Sequence, residues 1–85
     1  MPTYAVRFTR SAQKEFKKLD KTVSLRIAEA LVVLSKDPRK GSVRPMVGVS
    51  SWRLRVGNYR IVYDFADAEL VILIIRVRHR QSAYK

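Results

Sequence analysis

Cysteine is absent from this 85-residue chain, and histidine occurs once. Without cysteine there is neither a disulfide framework nor a thiolate zinc site. A single histidine leaves little from which to build an imidazole metal site. Acidic residues are scarce, seven against eighteen lysines and arginines, and no cluster of carboxylates stands together in the sequence to hold a metal ion. Long apolar runs are missing too. The longest, Leu70 to Ile75, is far short of the roughly 20 residues a helix needs to cross a bilayer. Met1, Pro2 and Thr3 lead straight into a strand pattern, so no signal peptide is expected. Repeats, low-complexity segments and linkers are also lacking. These absences describe one domain over residues 1–85, expected to be cytoplasmic, with no membrane association and no cofactor.

What is present in excess is positive charge, a formal +11. Such a density stresses the folded state by self-repulsion and favours polyanionic partners. Nucleic acid comes first, with an acidic protein or an anionic membrane surface behind it. The hydrophobic fraction of 47% is ordinary for a globular core and too high for a disordered tail.

Periodicity gives the order of elements. "YAVRFT" alternates, with Tyr4, Val6 and Phe8 on one face of a short strand. Thr9 or Ser11 can cap a helix whose stripe is Ala12, Phe16 and Leu19. Asp20 can cap a second helix with Val23, Ile27, Leu31 and Leu34 inward, widened by Ala28 and Val32. Pro38 ends it, because proline biases Asp37 away from helical angles. "DPRKGSVRPMVGVS" reads as a loop of about a dozen residues, a length that is usually functional or mobile. Trp52 to Val56, Tyr59 to Phe65 and Val71 to Arg78 then read as an antiparallel meander. The expected fold is α+β in the order β-α-α-β-β-β, a helical hairpin packed on one face of an antiparallel sheet.

Gly57-Asn58 suits a two-residue primed turn with positive φ at both positions. Such a turn sets Arg55 opposite Arg60, where like charges destabilise a sheet. It places Trp52, Leu54, Val56, Tyr59, Ile61, Tyr63 and Phe65 on the core face. Arg53, Arg55, Arg60, Val62 and Asp64 take the other. In the last strand the fully apolar set Val71, Leu73, Ile75 and Val77 is expected in the core. That requires a three-residue turn at Asp67 to Glu69, or an equivalent bulge. Arg76, Arg78 and Arg80 then join the other three arginines. Six arginines on one face are costly unless an anion neutralises them, and guanidinium forks grip phosphate oxygens in pairs. The bland alternative is that each arginine lies over apolar surface with its head in water.

"WRLRVGNYRIVY" followed by "VILIIRVRHRQSAY" resembles the RelE/ParE superfamily of toxin–antitoxin toxins, in its RelE branch. The likeness extends to "YAVRFT", "SAQKEFKKL" and "DPR", and so to nearly the whole chain. It implies a RelE-like microbial ribonuclease fold and an endoribonuclease that cuts mRNA in the ribosomal A site. It also implies an acidic or amphipathic cognate antitoxin and a hetero-oligomer with it. Carried over by position, the resemblance implicates Arg53, Arg55, Arg60, Arg80 and Tyr84. Some members carry lysine where Arg53 and Arg55 stand here. The implied chemistry is metal-independent in-line attack by a 2′-OH. Arginine stays protonated, so these side chains serve as electrostatic clamps. Proton transfer then falls to Tyr84 or His79. Tyr84 is otherwise an aromatic anchor for the tail, and alternation points His79 to the core side. Arg76 and Arg78 complete an RNA-binding face. Lys14, Lys17, Lys18, Lys21 and Arg44 form either a solvated surface or contacts to rRNA phosphates. The competing functions are a ParE-like gyrase inhibitor without nuclease activity, and an inactive RNA-binding relative.

Overall fold

The computed structural model describes residues 3–40, 42–46 and 49–79, and for 42–46, 49 and 50 the backbone alone. Strand β1 (Ala5–Phe8) is followed by α1 (Arg10–Lys17) and α2 (Lys21–Lys36). A 3₁₀ turn (Pro38–Lys40) leads into β2 (Ser42–Met46), β3 (Val49–Val56), β4 (Tyr59–Ala66) and β5 (Val71–His79). The five strands form one sheet in the order β1-β5-β4-β3-β2. Helix α1 packs on β5, and α2 reaches β1 and β3. Among the described residues no helix is long and apolar enough to cross a membrane.

The helices begin and end for local reasons. Thr9 is the N-cap of α1, its Oγ1 accepting from Ala12 N at 3.1 Å. Lys14 and Lys17 fall in the last turn, where cations suit the helix dipole. Asp20 starts α2 without a side-chain capping bond, and Asp37, at φ −154°, leaves the helix before Pro38. Ala12, Ile27, Leu31 and Leu34 are buried. Val32 is not part of this stripe. It lies 58% exposed, because the α2 stripe facing the sheet is narrower than its apolar composition.

Two expectations about the sheet need correction. The long connection is not all loop. It holds the 3₁₀ turn and the edge strand β2, and β3 begins at Val49 rather than Trp52. Pro45 sits within β2, an edge strand, the position in a sheet where proline is tolerated. The sheet is also mixed, since β1 runs parallel to β5.

The β3–β4 hairpin pairs as the turn requires: Trp52 with Tyr63, Leu54 with Ile61, Arg55 with Arg60, Val56 with Tyr59. Positive φ occurs at Gly57 (+58°) but not at Asn58, which marks a II′ rather than a I′ turn.

Strand β5 departs further from expectation. Ile72, Ile74 and Val77 are buried, while Leu73 is 38% exposed and Val71 and Ile75 lie half-buried. Tyr63 pairs with Ile74, but its neighbour Val62 pairs with Arg76, so Ile75 is an extra residue. This β-bulge shifts the alternation midway along the strand. Before it, Ile72 and Ile74 face the core. After it, Val77 does so, and Arg76 and Arg78 face away. The preceding turn spans Asp67 to Leu70, one residue longer than expected.

The bulge assigns opposite environments to neighbours. Ile74→Ala should cost about 2–4 kcal/mol by opening a core cavity. Leu73→Ala should cost less than about 1 kcal/mol. Urea unfolding of both variants checks this, and the reverse order would mean that β5 runs without the bulge.

Candidate functional site

The sheet face away from the helices carries two rows of side chains across β3, β4 and β5. One row is Arg55, Arg60 and Arg78; the next is Arg53, Val62 and Arg76. Adjacent strands lie about 4.8 Å apart, and residues two apart on one strand are separated by about 7 Å. Five guanidinium groups therefore rise from a patch roughly 10 Å by 7 Å at the backbone. Arg53, Arg60, Arg76 and Arg78 are half-buried and Arg55 is exposed. Beyond Val62 the face changes character, with Asp64 opposite Leu73.

Two like charges ~5.5 Å apart repel by roughly 0.8 kcal/mol in water, and by roughly 3 kcal/mol at an effective dielectric of ~20. The row Arg55–Arg60–Arg78 therefore favours an anion between its members. At the β5 end the protein supplies one. Glu15 of α1 accepts a hydrogen bond from Val77 N at 2.9 Å through Oε1. Its Oε2 stands 4.0 Å from both Arg76 Nη1 and Arg78 Nε. Glu15 was not among the residues expected at the site. The available signal was its being the lone acid among the lysines of "QKEFKK".

The remaining expected site residues fall in different places. His79 pairs with Tyr59 on the helix-facing side, ring against ring at 5.1 Å and 90°. It does not share the arginine face. Lys14, Lys17 and Lys18 are exposed on α1 and its C-cap, in the helical layer. Arg44 pairs with Ser51 through the β2–β3 ladder. Its side chain, and Arg80 and Tyr84 entirely, lie outside the described residues. Among those residues no group of three histidine, aspartate or glutamate side chains is placed to hold a metal ion.

Arg39, from the "DPR" segment, is engaged elsewhere. Its guanidinium lies over the Phe65 ring at 5.0 Å and pairs with Asp67, which also accepts from the Tyr4 hydroxyl. Phe65 in turn packs against Trp52 and Tyr4. This network fastens the β4–β5 turn to the start of β1 and to the 3₁₀ turn. The Tyr4 hydroxyl and then Arg39 hold Asp67 below the usual carboxylate range. The same bond to Asp67, with some burial, pushes Tyr4 up.

A carboxylate whose pKa is lowered by folding contributes stability above its unfolded value of about 3.9. That contribution is lost as pH falls through the lowered value. The melting-temperature advantage of the wild type over Asp67→Asn should therefore be full near neutrality and shrink below about pH 4. A pH-independent difference would contradict this electrostatic role.

Three comparisons bear on this geometry. Residues 6–84 match the family model described as the ParE toxin of the type II toxin–antitoxin system parDE. The toxin RelG of Mycobacterium tuberculosis is 32% identical, over 96% of this chain and 97% of its own. The mRNA interferase toxin RelE of Escherichia coli K12 is also 32% identical, over 94% of this chain and 86% of its own. Among solved structures, a chain of the RelBE2 toxin–antitoxin complex from Mycobacterium tuberculosis superposes with a TM-score of 0.85 and 32% identity, covering 94% of both chains.

Proposed function

The chain belongs to the ParE toxin family of type II toxin–antitoxin systems, in its RelE branch, and from that premise we propose that it cleaves mRNA in the ribosomal A site and is silenced by a cognate antitoxin. The observation that carries this reading is the two-row arginine face. A face of forked, permanently charged donors suits a phosphodiester chain, and it suits above all a phosphorane that gains negative charge during attack.

In the proposed reaction the 2′-OH attacks the adjacent phosphorus in line, the P–O5′ bond breaks to leave a 2′,3′-cyclic phosphate, and the departing 5′ oxygen takes a proton from water. Arg53, Arg55, Arg60 and Arg80 stabilise the non-bridging oxygens. None of them serves as base, since guanidinium keeps its proton. Tyr84 takes the 2′ proton, since an arginine-lined site would make a phenol more acidic by favouring its anion. His79 is a weaker choice, because Tyr59 holds it on the opposite side of the sheet. An mRNA substrate on the ribosome places this work in the cytoplasm.

Antitoxin binding is supported by the complexes that relatives form and by exposed apolar surface. Leu25, Val32 and Val33 of α2 are exposed. Val32 also borders a groove of about 310 Å³ lined by Val6, Phe8 and Phe16. An amphipathic antitoxin segment suits that surface. The family model carries the ParE name, so a gyrase inhibitor remains the second reading.

Purified protein, a defined mRNA and translating ribosomes give the test. Primer extension should find cuts at in-frame codon positions only when ribosomes are present. Arg60→Ala should slow cleavage about 100-fold or more, and Tyr84→Phe by about 100-fold. Wild-type cleavage by Tyr84→Phe would remove the phenol from the mechanism. No cleavage by the wild type, together with inhibited DNA supercoiling by gyrase, would establish the second reading instead.

A further inference from the structure

Beyond Phe8, β1 no longer pairs with β5, and the edge of β5 from Ile74 to Val77 needs other partners. Thr9 supplies the first: its N–H donates to Ile74 O at 2.9 Å and its Oγ1 to Ile75 O at 3.0 Å. Glu15 supplies the next by accepting from Val77 N. The same carboxylate stands between the two arginines that flank Val77, 4.0 Å from each. Glu15 is thus fixed at one end by a backbone bond and offers its second oxygen to both guanidinium groups.

We propose that Glu15 is a positioning residue for the arginine face, holding Arg76 and Arg78 as a set pair at its β5 end. This rests on the reading of that face as the site of RNA cleavage. Arginine side chains have many rotamers, and two like charges two residues apart push each other away from any shared target. A carboxylate anchored to the intervening amide removes that repulsion and narrows the rotamers. Its geometry differs from that of a surface ion pair, because the bulge at Ile75 and the end of β1 together create the vacant amide that anchors it.

Charge and position make opposite predictions here. A carboxylate that only dilutes the field would, once neutralised, tighten RNA binding and leave cleavage unchanged or faster. A positioning carboxylate, once neutralised, slows cleavage although the surface has become more positive. Glu15→Gln separates the two, since its amide oxygen still accepts from Val77 N while the charge is gone.

The experiment measures kcat and KM on programmed ribosomes, and affinity for a single-stranded RNA oligonucleotide. The variants are Glu15→Gln, Arg76→Ala/Arg78→Ala and the combination of all three, each checked by thermal melting. The expected result for Glu15→Gln is a roughly tenfold lower kcat with RNA affinity equal to or above wild type. In the double-alanine background the substitution should have no further effect, since coupled groups are non-additive. A wild-type or higher kcat for Glu15→Gln, or the same tenfold loss in the double-alanine background, would overturn the proposal. If the wild-type protein does not cleave, the nuclease reading fails, and NMR of the Arg76 and Arg78 Nε–H groups decides about positioning alone. Glu15→Gln should move both resonances towards free arginine; unmoved resonances would overturn it.

Discussion

Strand β5 must bury Ile72, Ile74 and Val77 on one side and present Arg76 and Arg78 on the other. A strand repeats every two residues, and positions 72, 74 and 77 do not share that parity. The extra residue at Ile75 reconciles them. Without an offset somewhere along the strand, either the arginines would enter the core or the isoleucines would leave it. Both are expensive: an unpaired buried guanidinium costs several kcal/mol, and an exposed isoleucine forfeits about 1.5–3 kcal/mol of burial. The bulge lets one strand complete an apolar core at its first half and a cationic face at its second.

The surrounding elements are arranged about that irregularity. Thr9 ends β1, caps α1 and satisfies carbonyls of β5 at the bulge with one hydroxyl and one amide. Helix α1 is thereby set against β5, which brings Glu15 to the Val77 amide. On the other side, the II′ turn at Gly57 fixes the β3–β4 register and lines up Arg55 with Arg60. Register on both flanks of β4 then places Arg78 in the same row. The row is a consequence of two separate pairings, and each tolerates the charge repulsion because the opposite face is so well buried, with Ile61, Tyr63 and Ile74 fully enclosed.

The legible parts of the sequence were those governed by short-range rules. The β3–β4 pairing followed from a two-residue turn and alternation, and the two helices from capping residues and apolar spacing. The β3–β4 part of the arginine face, Arg53, Arg55 and Arg60, was found for the same reason, whereas Arg76 and Arg78 were assigned to it through an apolar core set of β5 that the bulge overturns. The apolar run from Leu70 to Ile75 gave no parity, because every residue in it suits a core; only pairing with β4 shows that Ile72 and Ile74 are the buried ones. "SVRPM" lacked the alternation of a strand and carried a proline, so an edge strand read as loop. Glu15 looked like one more solvated helix residue, since its role depends on a vacant amide 62 residues away. Its contact lives in tertiary structure alone.

On the proposed reading, phosphates bind the sheet's arginine rows, while the exposed lysines of the helical layer contribute less. Salt dependence of single-stranded RNA binding measures this directly, because each phosphate contact contributes a slope of about 0.7 to log K against log salt concentration. Arg55→Ala/Arg60→Ala/Arg78→Ala and Lys14→Ala/Lys17→Ala/Lys18→Ala remove the same charge from opposite layers. The arginine variant should lower the slope by about 2, with the lysine variant close to wild type. A slope lost in the lysine variant and retained in the arginine variant would mean that RNA binds the helical layer instead.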